Sequence, residues 1–370
     1  MDSELAKNTR SLDASGESES TTTIAIEVAR EAKLNKLHYI QDNTPGFSRQ
    51  RFRGKFRYLD VHGQIIKTEK EIARITALRI PPAWEAVWIC ARAKGHLQAT
   101  GRDVKGRKQY LYHTEWRQLR EAKKYEHMID FGRQLPAIRS HIAHDLRSSG
   151  LGKEKVLAMM IYLLENTLIR IGNDEYAKTN QSFGLTTLRN RHVAIEGSEV
   201  NFHFRGKSGV EHSVSLKDRR LARMIRNMRE LPGQALFQYV DAEGERHTIG
   251  SSEVNEYLQQ ITEGDFTAKD FRTWFGSLHT LLALSALEPF TSVTEAKKNI
   301  VAAIRIAASK LGNTPAICRN SYVHPFILEH YLTGSGFTQD VKEAEYNDTE
   351  LNPAEQYMLC LLKQRVSAPP

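Results

Sequence analysis

The residue pattern changes near residue 115, and this change restricts the chain to an architecture of two different parts. Between residues 44 and 114, short apolar runs alternate with Gly and Pro residues, which is typical of strands and turns. Beyond residue 115, apolar residues recur mostly at helical spacing. We therefore predict an α+β protein, with a small β-rich N-terminal domain and a larger, mainly α-helical domain.

Several short runs predict the strands of the β-rich part. Phe56–Val61 and Gln64–Ile66 flank the turn residues His62–Gly63, and this arrangement predicts a β-hairpin. Val87–Cys90 and Leu97–Thr100 are predicted as further strands, because each is apolar and bounded by turn residues.

One helix and one small sheet are the clearest predictions for the helical part. The apolar residues of Val156–Ile169 fall close to a single helical face, which predicts a helix packed on one side. Val193–Ile195, Val200–Phe204 and Glu211–Leu216 are separated by turn residues. They predict a three-stranded β-meander inside the helical domain.

Both ends of the chain are predicted to be less ordered than the two domains. Residues 1–43 form a flexible leader, rich in Ser, Thr, Asp and Glu as far as Thr23, with a short helix candidate over Ile24–Lys36. The domains are then residues 44–114 and 115–365, and residues 366–370 form a frayed tail.

The charge balance indicates a polyanionic partner. Lys and Arg number 52 against 44 Asp and Glu, which gives a net charge of +8 and a pI near 9.2. Charge alone leaves DNA, RNA and an anionic membrane surface open.

The cysteines and the hydropathy indicate a cytoplasmic protein. Cys90, Cys318 and Cys360 are odd in number and far apart, which argues against a disulfide framework and against a zinc site. The N-terminus lacks the layout of a secretory signal, and no apolar run reaches the roughly 18 residues of a membrane span. We therefore expect no membrane association and no metal site.

Two basic stretches in the β-rich part are candidates for phosphate contacts. If Arg49–Arg57 is extended, its odd-numbered positions place five cations on one face with Phe residues between them. The second stretch ends in Gln109–Tyr112, and its cations are Arg92, Lys94, Arg102, Lys105, Arg107 and Lys108. Cations bind phosphates without reading sequence, while Gln and Tyr can reach bases or sugars. A solvated charged face remains the alternative.

The same region resembles a known module. Ile80–Trp84, Val87–Ile89, His96–Asp103 and Gly106–Tyr110 together resemble the N-terminal module of the poxvirus-like and bacterial type IB DNA topoisomerases. The resemblance implies that this module covers one side of duplex DNA. The predicted DNA-binding residues are Gln109, Tyr110 and Tyr112, which match contact positions of the family, and the basic Arg102 and Arg107.

The resemblance extends through the helical part. Leu168–Asn173 resembles the segment with the first catalytic arginine, which implies that role for Arg170. Phe204–Gly209 resembles the turn with the catalytic lysine, here Lys207. Arg272 is implied as the second catalytic arginine, with Lys269 as its basic companion that binds DNA. Gly312–Tyr322 resembles the nucleophile segment, which implies that Tyr322 is the nucleophile.

One position departs from the poxvirus pattern. Asn313 stands nine residues before Tyr322 (322 − 313 = 9), where poxvirus members have histidine and bacterial relatives resemble this chain. Asparagine donates a neutral hydrogen bond but is never a cation. We expect Asn313 to be catalytic but to contribute less than histidine.

The chemistry of phosphodiester cleavage needs these residue types. Two guanidiniums share the charge that develops on the phosphoryl oxygens, and an ammonium protonates the leaving 5′-oxygen. A phenol with a pKa near 10 attacks only if nearby cations favour its phenolate. The resulting 3′-phosphotyrosyl bond permits religation without ATP, and positioned cations remove the need for an obligatory metal.

The resemblance thus implies a topoisomerase that relaxes supercoils of both signs as a monomer clamped around duplex DNA. We expect it in the cytoplasm, associated with a bacterial nucleoid. Two alternatives remain open, a tyrosine recombinase and a non-catalytic protein that binds duplex DNA. Taken singly, Arg170 also suits the C-terminal end of a helix, Lys207 a solvated hairpin tip and Tyr322 a packed aromatic.

Overall fold

The computed structural model describes residues 28–262, 264–334, 337 and 350–367. Residues 1–27 of the predicted leader and residues 368–370 of the predicted tail lie outside these ranges. Residues 28–34, which fall within the predicted short helix, are helical. The chain divides into two compact units, residues 1–124 and 125–370. This division falls inside a long helix, Thr114–Asp145, whereas the predicted domain boundary lies at the start of that helix.

The first unit is built on a five-stranded antiparallel sheet. Its strands are β1 (Phe47–Phe52), β2 (Lys55–Leu59), β3 (Glu85–Ile89), β4 (Leu97–Arg102) and β5 (Lys108–Tyr112), and helix α1 (Glu69–Ala77) follows β2 in the sequence. The strand order in the sheet is β2-β1-β3-β4-β5. Ile75 of α1 joins Ile80, Val87, Ile89 and Ala99 in a small apolar core. The strands predicted at Val87 and Leu97 are confirmed as β3 and β4.

The basic stretch Arg49–Arg57 is not a single extended strand, so its five cations do not share one face. The chain reverses at Arg53–Gly54, where both residues have positive φ, and β1 pairs with β2 in a hairpin. Arg49 and Arg51 therefore lie on the same side of the hairpin as Phe56. Arg57 lies on the opposite side, against Phe52. The hairpin predicted around His62–Gly63 is reduced to one bridge, between Leu59 and Ile65.

The second unit is mainly helical. Within the described residues its helices are α2 (Thr114–Asp145, which begins in the first unit), α3 (Lys153–Thr167), α4 (Asp174–Asn180), α5 (Arg219–Glu230), α6 (Ser251–Thr262), α7 (Ala268–Ser285), α8 (Val293–Lys310), α9 (Pro315–Ser321), α10 (Pro325–Leu332) and α11 (Pro353–Ser367). None of the helices in the described residues has both the length and the apolar character needed to cross a bilayer.

Helix α3 is the centre of the core of this unit. The prediction of one buried face is wrong, because every residue from Val156 to Ile161 is buried. The reason is that α3 is contacted by helices α6 and α7 and by strands of two sheets, so it has no solvent side over this stretch. Periodicity within one helix cannot report how many neighbours surround it.

Two small antiparallel sheets complete the second unit. The predicted meander is confirmed as β6 (Val193–Glu196), β7 (Glu199–Arg205) and β8 (Glu211–Lys217). The hairpin of β9 (Gln238–Val240) and β10 (Arg246–Thr248) was not predicted, because three-residue strands give too short a period-2 signal. The fold is therefore α+β.

Candidate active site

Arg170 lies just beyond the end of helix α3. Leu168 has a left-handed backbone (φ 54°), and its N–H donates to the Leu164 carbonyl at 2.9 Å, which ends the helix. Arg170 is then free to leave the helical path, and its guanidinium donates to the Gly312 carbonyl at 3.5 Å and to Oδ1 of Asn313. Arg170 is thus bound to the loop before α9 rather than to a helix end.

Lys207 lies on the tight turn between β7 and β8. The Gly206 N–H donates to the Val210 carbonyl at 2.7 Å, and Ser208 and Gly209 have positive φ values of 65° and 77°. Glycine suits the second of these positions because it has no Cβ to clash there. The turn leaves the Lys207 side chain exposed, at the edge of a cleft described below.

Arg272 is buried near the start of helix α7, with only 4% of its surface exposed. Its guanidinium donates to the Leu168 carbonyl and, at 2.8 Å, to the Leu311 carbonyl. Burial, reinforced by the nearby charge of Arg170, lowers the pKa of Arg272 to about 10. Arg272 therefore stays cationic at neutral pH.

Tyr322 follows helix α9 directly. Thr314 caps that helix and Pro315 occupies its first turn, as the sequence predicts. The Tyr322 N–H donates to the Cys318 carbonyl at 2.9 Å, and the Tyr322 carbonyl accepts from the Ser277 hydroxyl at 3.0 Å. These bonds hold the backbone of the candidate nucleophile on both sides.

The charges around Tyr322 favour its phenolate. Burial raises the pKa of the phenol, but Arg272, then Arg170 and Lys269, lower it more strongly, so the pKa of Tyr322 lies below its ordinary value of 10.0. The Arg272 guanidinium carbon lies 5.2 Å from the centroid of the Tyr322 ring. Lys269 is exposed in the first turn of α7 and acts through its charge. A lowered phenol pKa is what a tyrosine nucleophile requires.

A cleft of about 470 Å³ brings the candidate residues together within the second unit. Arg170, Lys207, Asn313 and Tyr322 all line it, and Arg272 lies against the Tyr322 ring. The five side chains predicted to be catalytic are separated by up to 152 residues of sequence (322 − 170 = 152) and converge here.

Two buried donors of this site have no hydrogen-bond partner among the described residues. They are Nε of Arg272 and Nδ2 of Asn313. Because Arg170 donates to Oδ1 of Asn313, the amide is oriented with its N–H group as the remaining donor. An unpaired buried donor costs about 1–3 kcal/mol, and an anionic oxygen is the acceptor that best satisfies it.

The candidate DNA-binding residues of the first unit lie on β4, β5 and the turn between them. Tyr110 and Tyr112 are 47% and 41% exposed, and their rings stack at 6.2 Å on the same face of β5. Arg102 donates to the Gly106 carbonyl at 2.8 Å. The remaining two, Arg107 and Gln109, both bind the carboxylate of Asp103, at 2.6 and 3.1 Å.

These pairings change how the basic stretch is interpreted. Arg107 and hydrogen bonds from the turn lower the pKa of Asp103 to about 2, so its carboxylate stays charged and holds the turn. Arg107 and Gln109 therefore stabilise the turn.

Sequence reasoning missed several residues that position the site. Ser277 donates to the Tyr322 carbonyl and accepts from the His324 N–H at 2.9 Å, and Tyr125 donates to the Val323 carbonyl at 3.0 Å. A Cβ added to Gly276 would lie 2.9 Å from Cβ of Tyr322, so only glycine permits this approach of α7. These residues act through tertiary contacts, and no local pattern signals them.

Comparison with known proteins identifies the family. Residues 113–345 match the family model described as eukaryotic DNA topoisomerase I, catalytic core, and residues 55–103 match that of the bacterial DNA topoisomerase IB N-terminal domain. The chain belongs to the type IB DNA topoisomerase family, and is therefore an enzyme of the isomerase class that binds DNA.

Individual relatives agree with the family models. The chain is 32% identical to DNA topoisomerase 1B of Acanthamoeba polyphaga mimivirus over 84% of this chain and 95% of the relative. It is 28% identical to DNA topoisomerase 1B of Vaccinia virus (strain Copenhagen) over 66% of this chain and 75% of the relative. It is 26% identical to DNA topoisomerase 1 of rabbit fibroma virus (strain Kasza) over 67% of this chain and 76% of the relative.

Proposed function

We propose that the chain relaxes positive and negative supercoils of duplex DNA without ATP, by cleaving one strand with Tyr322 and religating it. The observation that carries the proposal is the placement of a phenol of lowered pKa beside a buried guanidinium and in one cleft with Arg170 and Lys207. Attack on a phosphodiester needs all of these groups, whereas binding to DNA needs only the cations.

In the proposed cleavage step, the Tyr322 oxygen replaces the 5′-oxygen on phosphorus. The Tyr322 phenolate attacks phosphorus, the bond from its oxygen to phosphorus forms, and the bond from phosphorus to the 5′-oxygen breaks. The departing 5′-oxygen takes the bonding electron pair and a proton from the Lys207 ammonium. Religation reverses these steps, since the 3′-phosphotyrosyl bond conserves the energy of the diester, and no nucleotide cofactor is consumed.

The remaining site groups stabilise the charge on the phosphoryl oxygens. Arg170 and Arg272 supply the guanidiniums, and a preorganised donor of this kind is typically worth about 10²–10³ in rate. The unpaired amide N–H of Asn313 supplies a neutral donor. Because fixed cations neutralise the developing charge, the step has no need of an obligatory metal.

The proposal includes the setting in which the enzyme acts. We place it in the cytoplasm, at the nucleoid if the source is bacterial, because its three cysteines are free thiols. It acts as a monomer that clamps duplex DNA, with Lys269 and the exposed Tyr110 and Tyr112 as contact residues and Arg102, Arg107 and Gln109 beside them.

A plasmid assay tests the proposed activity against the alternatives. Negatively and positively supercoiled plasmids without any recombination site are incubated with the protein in EDTA and without ATP. The proposal predicts a ladder of relaxed topoisomers from both. A tyrosine recombinase would leave such plasmids supercoiled, and a non-catalytic binding protein would shift their mobility only until it is removed by detergent.

A further inference from the structure

His212, on strand β8, lies between two glycines that belong to different parts of the site. A Cβ added to Gly206, beside Lys207, would lie 2.5 Å from Cδ2 and Nε2 of the imidazole. A Cβ added to Gly312, beside Asn313, would lie 2.2 Å from Cε1 of the same ring. The imidazole thus fills the space between the lysine turn and the loop that binds Arg170.

The β7–β8 hairpin fixes the plane of the His212 ring. Phe204 and His212 are direct cross-strand partners in β7 and β8, and their rings stack at 5.0 Å with an interplanar angle of 6°. His212 is half-buried and lines the same cleft as Lys207 and Tyr322. Stacking on one face leaves the ring little freedom to move away from the two glycines.

The surroundings of His212 disfavour the protonated form of the imidazole. Burial first, and then the charges of Arg170 and Arg272, lower its pKa below 6.5, and the opposing effect of Glu211 is smaller. No hydrogen bond to its ring nitrogens is found among the described residues. Within the described residues, the contacts of His212 are therefore those of packing.

We propose that His212 is a positioning residue that holds the Lys207 turn at a fixed separation from the Gly312–Asn313 loop, and so places the Lys207 ammonium for proton transfer. This inference rests on the proposed role of Lys207 as the proton donor. His212 itself takes no proton and touches no reacting atom. Its effect on cleavage passes through the position of Lys207.

Single-turnover cleavage of two DNA substrates tests the assignment. One has the natural 5′-bridging oxygen and the other a 5′-bridging sulfur, which departs without a proton. His212→Ala should slow cleavage of the oxygen substrate by about 10- to 100-fold, because an ångström-scale displacement of a catalytic group has effects of this size. It should cleave the sulfur substrate at nearly the rate of the unaltered protein. His203→Ala, an exposed histidine of the same hairpin, is the matched control and should cleave both substrates normally.

A second variant probes the same contact without removing the ring. Gly206 has φ −95°, which alanine adopts, so Gly206→Ala mainly forces its new Cβ against His212. It should show the same selective loss on the oxygen substrate. In the His212→Ala background the added methyl group has room, so Gly206→Ala should cost much less there than alone.

The outcomes separate the two proposals. If Lys207→Ala is rescued by sulfur and His212→Ala is slow on both substrates, the positioning role of His212 is wrong and the proposed function stands. Additive effects of Gly206→Ala and His212→Ala also overturn it. If Lys207→Ala itself is not rescued, the assignment of Lys207 as the proton donor fails, whatever His212 shows.

Discussion

The guanidinium carbon of Arg272 lies 5.2 Å from the centroid of the Tyr322 ring, and this guanidinium is buried. Its two hydrogen bonds to the carbonyls of Leu168 and Leu311 tie it to the segments that carry Arg170 and Asn313. One side chain therefore both favours the phenolate and links the parts of the site. Burial makes its charge more effective, since little solvent screens it.

The first prediction concerns the ionisation of Tyr322. Its pKa lies below 10.0 because the effect of three nearby cations outweighs that of burial. The phenolate fraction grows as pH rises through this lowered pKa, so the cleavage rate should rise with pH and level off earlier than for a free phenol. Ultraviolet difference titration of the protein against Tyr322→Phe measures the pKa directly. A value above 10 would contradict the electrostatic argument.

The second prediction compares the loss of a charged donor with the loss of a neutral one. Arg272→Ala should reduce the cleavage rate by about 10²–10³, and Arg272→Lys should restore little, because an ammonium cannot copy the planar fork. Asn313→Ala removes one neutral donor and should cost less. Single-turnover rates decide the order, with melting temperatures as a control, because Arg272→Ala also leaves two carbonyls unpaired. Equal losses would mean that charge is not what Arg272 contributes.

The third prediction concerns the contact between α7 and the nucleophile. In Gly276→Ala the new Cβ would lie 2.9 Å from Cβ of Tyr322 and 3.0 Å from the Tyr322 carbonyl oxygen, so the nucleophile must shift. A displacement near 1 Å costs on the order of 10²-fold in cleavage. DNA affinity should be retained. Gly152→Ala, whose Cβ meets nothing within 4 Å, is the control and should leave cleavage unchanged. Normal cleavage by Gly276→Ala would show that this close approach is unimportant.

The fourth prediction separates two arginines of strand β1. Arg51 is exposed, whereas Arg49 donates to the carbonyls of Ile80, Pro81 and Trp84 at 2.7–3.1 Å. If Arg51 binds a phosphate, Arg51→Ala should lower the slope of log affinity against log salt by about 1. Arg49→Ala should instead lower the melting temperature and leave the slope nearly unchanged. Titrations at several salt concentrations measure both slopes. An unchanged slope for Arg51→Ala would show that Arg51 of the β1–β2 hairpin does not bind a DNA phosphate.

The sequence revealed those parts of the protein that depend on local patterns or on residue types. The meander was predicted because turn residues separate its strands. The charged site residues were predicted because their segments resemble those of the type IB topoisomerases. The reversal at Arg53–Gly54 was missed, since a continuous basic run hides the turn inside it. Gly276 and His212 were missed for another reason. Their importance lies in contacts between segments far apart in sequence, which no periodicity reports.

Covalent capture of the DNA tests the central claim most directly. The scissile strand of a duplex is labelled at its 5′ end, and the segment 3′ of the cleavage site is short enough to dissociate after cleavage. The duplex is incubated with the protein, and the products are separated under denaturing conditions. We predict a labelled protein band, and peptide mapping should show that its DNA is attached through a 3′-phosphate to Tyr322. Tyr322→Phe should give no such band, although it should still bind the duplex. Attachment to any other residue, or an adduct formed by Tyr322→Phe, would contradict the account.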